Sequence, residues 1–232
     1  MKSFLKKSLA AGLAAVLALV LTACENTAEP DGDQSAVLTL SGSATSPSAQ
    51  TDGGRILIAY FTAAENSGVD AVASASYTMI NGEAVGRLRV VADMIRENVG
   101  GDLFSIHTAV VYPADGGELI DYAAQEQDEN ARPALTSHIE NPEQYDTIFI
   151  GYPNWWADLP MAVYSFFDEY DFSGKTLIPF NVHNGSRFSR TIQTIQELEP
   201  QATVVENGFT VSERTVADAA GDVAAWLDEI GY

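Results

Sequence analysis

Five short runs of this chain are almost continuously apolar, and the stretches between them carry apolar residues at every third or fourth position. The first run, Arg55-Ile56-Leu57-Ile58-Ala59-Tyr60-Phe61, shows no alternation of apolar and polar residues. Both of its faces are therefore expected to be covered, as in the central strand of a parallel sheet. Asp102 to Thr108, Asp146 to Tyr152, Lys175 to Val182 and Ala202 to Val205 repeat the pattern. Between them, Val85, Leu88, Ala92, Ile95 and Val99 fall on one helical face before Gly100-Gly101 stops the turn. Pro160 stands near a second helix start and is followed by Val163, Phe166, Phe167 and Tyr170 on one side. Thr215-Val216-Ala217-Asp218 has the spacing of a capping box and leads Val216, Ala219, Ala220, Val223, Leu227 and Ile230 along a third stripe. Strands alternating with helices predict a parallel α/β sheet. No internal repeat is visible.

Residues 1–53 read differently. Lys2, Lys6 and Lys7 precede an apolar stretch from Leu9 to Leu21, and Leu21-Thr22-Ala23-Cys24 follows. Charged, then apolar, then small residues is the order of a secretory signal, and the stretch is short for a membrane span. It resembles a bacterial lipoprotein signal, which implies lipid attached at Cys24. Cys24 is the only cysteine in the chain, so no intramolecular disulfide forms, and an ordinary core cysteine would follow Ala23 only by chance. Glu25 to Gly53 is rich in Ser, Thr, Gly, Asp, Ala and Pro and too poor in aliphatics to bury a core. It reads as a flexible tether. The expected organisation is a signal peptide over 1–23, a lipidated cysteine and linker over 24–53, and one folded domain over 54–232, of a size that sustains a full core.

Charge narrows the partners. The chain has 12 Lys and Arg against 32 Asp and Glu. Cleavage after Ala23 would remove three lysines and no acid, leaving 9 basic residues against 32 acidic ones, a formal charge of −23. Such a chain repels nucleic acid and anionic headgroups, so attachment to a membrane would come from acyl chains and not from a basic patch.

In an open parallel sheet, ligands collect beyond the carboxyl ends of the strands. Three loops qualify: Thr62-Ala63-Ala64-Glu65-Asn66-Ser67, Pro153-Asn154-Trp155-Trp156-Ala157-Asp158-Leu159-Pro160, and Asn181-Val182-His183-Asn184-Gly185-Ser186. The second holds two of the three tryptophans. Tryptophan is normally buried, so a pair just past a strand is either the wall for a flat aromatic ligand or the cap of a local apolar cluster. His107, His138 and His183 lie apart with no cysteine beside them, so no metal cluster is expected. No Ser-His-Asp order with a nucleophile elbow appears either.

Tyr60-Phe61-Thr62, Gly151-Tyr152-Pro153-Asn154-Trp155-Trp156, and Tyr170-Asp171-Phe172-Ser173-Gly174-Lys175-Thr176 leading into Pro179-Phe180 together resemble a flavodoxin-type domain, in particular flavodoxin-like proteins of bacterial lipoprotein type. The resemblance covers most of residues 55–230. It implies a three-layer sandwich with a five-stranded parallel sheet of order 2-1-3-4-5, helices on both faces, and FMN bound without a covalent link. Thr62, Ala64, Asn66 and Ser67 would then cradle the phosphate at a helix N-terminus. Trp155 or Trp156 would stack on the isoalloxazine, beside Pro153 and Asn154. Asn181, His183, Asn184, Gly185 and Ser186 would meet the ring's polar edge, although a lone histidine beside a glycine turn is more often a structural hydrogen-bonding residue. The first loop departs from the family pattern: Glu65 intrudes, residues 68–83 are inserted, and Gly86-Arg87-Leu88 stands where Gly-Asn-Thr is usual. Glu65 would repel phosphate if it pointed inward, and Arg87 would attract it.

The resemblance implies a membrane-anchored, extracytoplasmic FMN protein that exchanges electrons with a redox protein or a small donor or acceptor. Two alternatives stand beside it: an FMN-dependent reductase of quinones or similar compounds using NAD(P)H, and a flavin-free binding module whose altered first loop has lost the phosphate site.

Overall fold

A computed structural model describes residues 55–67, 77–113 and 115–232. The expected signal peptide, Cys24 and the expected linker lie outside the described residues, as does most of the 68–83 insertion. The elements are β1 (Arg55–Tyr60), α1 (Ala63–Ser67), β2 (Tyr77–Ile80), β3 (Glu83–Gly86), α2 (Arg87–Val99), β4 (Asp102–Ser105), α3 (Gly116–Asp128), β5 (Tyr145–Pro153), α4 (Met161–Glu169), β6 (Thr176–His183), α5 (Thr191–Leu198), β7 (Thr203–Val204), β8 (Phe209–Ser212) and α6 (Ala220–Ile230).

The main sheet runs β4-β1-β5-β6, with β7 and β8 both paired to β6 and every pairing parallel. Counting β7 and β8 as one interrupted strand, this is the expected 2-1-3-4-5 order. The interruption makes six strands where five were expected, and it has a local cause. From Leu177 to Phe180 is three steps along β6, but their partners Val204 and Phe209 are five apart. The extra residues lie opposite Pro179, whose carbonyl faces Gly208 so closely that a Cβ there would overlap it. In a strand the carbonyl and N–H of one residue point the same way, so the N–H that proline lacks is missing from the ladder on this side. The indole N–H of Trp226 on α6 donates to the Asn207 carbonyl at 2.8 Å, satisfying the bulge.

Period-two alternation in the strands divides the core into two faces. Leu57, Ala59, Ile148, Ile150 and Leu177 pack with Leu119, Ala162, Val163, Phe166 and Ile195 of α3, α4 and α5. Ile58, Tyr60, Phe149, Ile178 and Phe180 pack with Leu88, Val91, Ile95, Val223 and Leu227 of α2 and α6. Helices therefore cover both faces of the sheet, as the continuous apolar runs require.

Three local expectations are corrected. The 215–218 segment forms no capping box: Thr215 sits at φ −121°, ψ 6°, outside the extended conformation of an N-cap, and makes no capping bond. Its hydroxyl donates to the Ser212 carbonyl at 3.3 Å. Val216–Asp218 is a 3-10 turn and α6 starts only at Ala220. The second strand ends at Ser105, three residues short of Thr108; beyond it, Thr108 bridges in antiparallel fashion to Leu135. Val85, expected on the first helical face, lies before α2, which begins at Arg87; it belongs to an antiparallel hairpin, β2 against β3, at the end of the insertion. Its turn is Asn81-Gly82, with φ 52° and 87°, the left-handed pair that an Asn-Gly hairpin favours.

Candidate functional site

The carboxyl ends of β1, β5 and β6 bring the three predicted loops to one edge of the sheet. In the first loop Thr62 is fully buried and lies against Gly86, the residue preceding α2. Gly86 offers no side-chain cap, so the N-terminus of a 13-residue helix opens beside Thr62 and Ala64. The first backbone N–H groups of a helix lack intrahelical acceptors and favour anions. Ser67 closes the five-residue α1.

Asn66 is occupied differently from expectation. Its amide nitrogen donates to the carbonyls of Thr62 at 3.0 Å and Ile106 at 3.1 Å, and its oxygen accepts from the Thr108 N–H at 2.9 Å. It ties the loop after β1 to the one after β4. Glu65 accepts from the hydroxyls of Tyr60, at 3.1 and 3.2 Å, and Ser105, while Arg89 donates to the Tyr60 hydroxyl at 3.2 Å. Burial, and then the Glu65 charge, push the Tyr60 hydroxyl up to about 12, so it stays a proton donor to Glu65. Arg87 begins α2 and pairs with Glu213 at 3.4 Å, both side chains less than one-fifth exposed.

The second loop separates its two tryptophans. Pro153 is the last residue of β5 and is buried. Trp155 is 6% exposed and meets Phe61 and Tyr112 edge to face, with centroids 5.6 and 5.8 Å away. Trp156 is 57% exposed, and its indole N–H donates to the Ile120 carbonyl on α3 at 3.0 Å. Trp156 and Ala157 both have positive φ, 50° and 65°, in a tight turn closed by paired backbone bonds between Trp155 and Asp158. That reversal sends one indole inward and the other outward.

The third loop is tied to the second through the Arg187 carbonyl. It accepts from the side-chain amides of Asn154 at 2.6 Å and Asn181 at 2.9 Å. The oxygen of Asn181 accepts from Thr210 at 2.6 Å, so this buried side chain is satisfied at both ends. His183 Nδ1 accepts the Gly185 N–H at 2.8 Å, and burial, then the Arg187 charge, hold the imidazole below its usual pKa. Neutral and bonded to its own turn, it positions the exposed Asn184, Gly185 and Ser186.

Two polar atoms on the second loop bear on what the site holds. Asn154 Oδ1 and Trp155 Nε1 are buried and have no hydrogen-bond partner among the described residues. Burying such atoms unpaired is costly, and together they offer one acceptor and one donor to a polar group from outside the described residues.

Sequence reasoning missed the residues that hold the loops in place. Asp158 accepts from the Leu159 N–H and from the Thr194, Tyr164 and Arg190 side chains, fastening the tryptophan turn to α4 and α5. Tyr112 lies under Trp155. Arg187 acts through its backbone carbonyl, which leaves no signal in the side-chain pattern.

A parallel sheet with helices on both faces and polar loops gathered at its carboxyl edge defines an α/β protein of the doubly wound class. The flavodoxin family model matches residues 78–230, and the chain belongs to that family. Among solved structures, a protein described as a flavoprotein from Bacteroides eggerthii DSM 20697 is 27% identical, with 78% of this chain and 99% of that chain covered and a TM-score of 0.58. Another so described, from Bacteroides uniformis ATCC 8492, is 28% identical over 72% of this chain and 97% of that one, with a TM-score of 0.54. A flavoprotein in complex with FMN from Lactobacillus acidophilus NCFM shares the fold at 17% identity, with coverage of 73% and 99% and a TM-score of 0.50. No curated protein matches the chain.

Proposed function

We propose that this protein binds FMN without a covalent link and carries electrons at the extracytoplasmic face of a bacterial membrane, anchored by lipid on Cys24. The observation that carries the flavin assignment is the second loop, which presents exposed Trp156 and holds two buried polar atoms, Asn154 Oδ1 and Trp155 Nε1, that have no partner among the described residues. Membership of the flavodoxin family supports the same group. Bound FMN would take up and release electrons one or two at a time.

The chain's own residues have three tasks in this reading. Thr62 and the N-terminus of α2 hold the phosphate, while Arg87 at the helix start is paired with Glu213, which offsets its charge. Trp156 lies along the ring, while Asn154 and Trp155 answer polar atoms at its edge. The formal charge, −23 once residues 1–23 are removed, opposes further negative charge on the flavin and lowers its reduction potential.

Titrating the apoprotein with FMN and riboflavin tests the site. FMN should bind at least tenfold more tightly, since each charge-assisted bond to the phosphate contributes about 1.5 to 3 kcal/mol, and Thr62→Ala should reduce the difference. Equal affinities would remove the phosphate site from the proposal, and no flavin binding at all would defeat it. The anchor is tested separately: Cys24→Ala should move the protein from the membrane to the soluble fraction, and unacylated wild type in the membrane fraction would contradict lipid attachment.

A further inference from the structure

The C-terminal half of α3, Glu129, the segment 131–133 and Val110 line a pocket of about 190 Å³ that is open to solvent on one side, with room for about six water molecules or a ligand of that volume. We propose that it binds a small primary alkylammonium cation, with Glu126 as the anionic anchor. Glu126 lines the cavity and is 5% exposed. One carboxyl oxygen accepts from the Tyr112 hydroxyl at a long 3.4 Å. Among the described residues no donor reaches the other oxygen. That oxygen reaches the open side of the pocket, where a mostly buried carboxylate accepts most strongly from a donor that also carries charge.

The surroundings select the kind of ligand. Glu129 adds a second carboxylate at the exposed rim, with one oxygen accepting from Gln125 at 2.7 Å. Arg132 also lines the cavity, but its guanidinium is committed to Asp168 at 2.5 Å and to Asn130 and Ala131 oxygens. The cavity is therefore net acidic and repels anions. Among the described residues no group of three or more His, Cys, Asp or Glu side chains is arranged to hold a metal ion, and hard cations require more oxygen ligands than this wall provides. Val110, Pro133 and the Tyr122 ring offer apolar surface to a short alkyl chain, and an aromatic ring favours a nearby ammonium.

Protonation couples to this site. Burial, opposed by the Tyr112 hydrogen bond and reinforced by the Glu129 charge, pushes the Glu126 carboxyl up to about 7. Tyr122 faces it from α3, Glu129 from the position that caps the end of α3, Tyr112 from the segment before α3, and Arg132 from the segment after it. A bound cation favours the ionised carboxylate, so affinity should rise with pH across this range.

The test is calorimetric titration of the purified protein with n-propylammonium chloride, using sodium chloride and tetramethylammonium chloride as ionic controls. One saturable site is expected, about tenfold tighter at pH 8 than at pH 6 as Glu126 ionises. Glu126→Gln, shown folded by circular dichroism, should bind at least tenfold more weakly and lose the pH dependence. Tyr122→Ala should weaken binding severalfold but keep it, which provides a second arm if Glu126→Gln does not fold. Heats that fail to saturate, equal binding of tetramethylammonium, or undiminished affinity in Glu126→Gln would each overturn the proposal.

Discussion

Gly86 lies so close to Thr62 that a Cβ at position 86 would stand 2.9 Å from the Thr62 hydroxyl oxygen and 3.0 Å from its methyl carbon. The hairpin of β2 and β3 is thereby closed onto the first loop at the start of α2. The Gly86 backbone is ordinary, φ −56° and ψ 133°, so space alone requires glycine here. Gly86→Ala should cost about 1 to 3 kcal/mol, the range for forcing a methyl into a packed site, read as a lower urea midpoint at unchanged slope. A midpoint equal to wild type would show that the hairpin is not held against Thr62.

Gly151, in the middle of β5, faces the ring of Phe180 on the neighbouring strand, and an added Cβ would overlap that ring. Phe180 is fully buried and has nowhere to turn. Gly151→Ala should destabilise by about 1 to 3 kcal/mol, the range for overpacking a core, and Phe180→Leu in that background should recover part of the loss. A double-mutant cycle should give a coupling energy of about 0.5 to 3 kcal/mol. Simple additivity of the two changes would contradict this packing.

The two adjacent tryptophans should separate by assay. Trp155→Ala removes a buried side chain from contact with Phe61 and Tyr112 and should cost about 3 to 5 kcal/mol of stability. Trp156→Ala should change stability by less than about 1 kcal/mol, because the indole is mostly exposed. It should weaken FMN binding by about 1 to 3 kcal/mol if it lies along the ring. Thermal melts and flavin titration of both variants decide the matter, and a destabilised Trp156→Ala protein with normal FMN affinity would reverse these roles.

Glu126 should leave its mark on stability against pH. Its folded pKa of about 7 lies above the ordinary 4.5, so the folded state holds this proton more tightly than the unfolded chain does. The resulting contribution is fully present below about pH 4.5, is lost as pH rises towards 7, and is flat beyond that. After allowance for solvent screening it is on the order of 2 kcal/mol. His183, held below its usual pKa, acts in the opposite sense, losing stability as pH falls. The difference between wild type and Glu126→Gln isolates the glutamate, and a pH-independent difference between pH 4.5 and 7 would rule out the raised pKa.

The elements most legible in the sequence were those whose surroundings are apolar on every side. β1, β5 and β6 stood out because helices cover both sheet faces, which removes the polar alternation of a half-exposed strand. α3 and α5 left weaker traces: α3 buries Leu119 and Ala123 among acidic residues, and α5 buries two threonines beside Ile195. The β2–β3 hairpin carried a usable sign in Asn81-Gly82, the dipeptide suited to its left-handed turn. Of the site, the three loops were readable from where strands end, but the partners of their side chains were not. Asn66 and Asn181 have the composition of ligand-binding residues, yet both bond to the protein itself.

Apolar runs and helical stripes, set in chain order, determined a parallel doubly wound sheet and the edge at which its loops gather, because burial on both faces imposes those patterns on any such chain. Which tryptophan enters the core, where the fifth strand breaks, and how Glu126 comes to face a cavity were decided by tertiary structure alone. Each depends on residues distant in the chain: Phe61 and Tyr112 around Trp155, Pro179 opposite Gly208, and the 130–133 segment folded back beside α3. Neighbours of that kind have no fixed spacing in a sequence and exist only once the chain has packed.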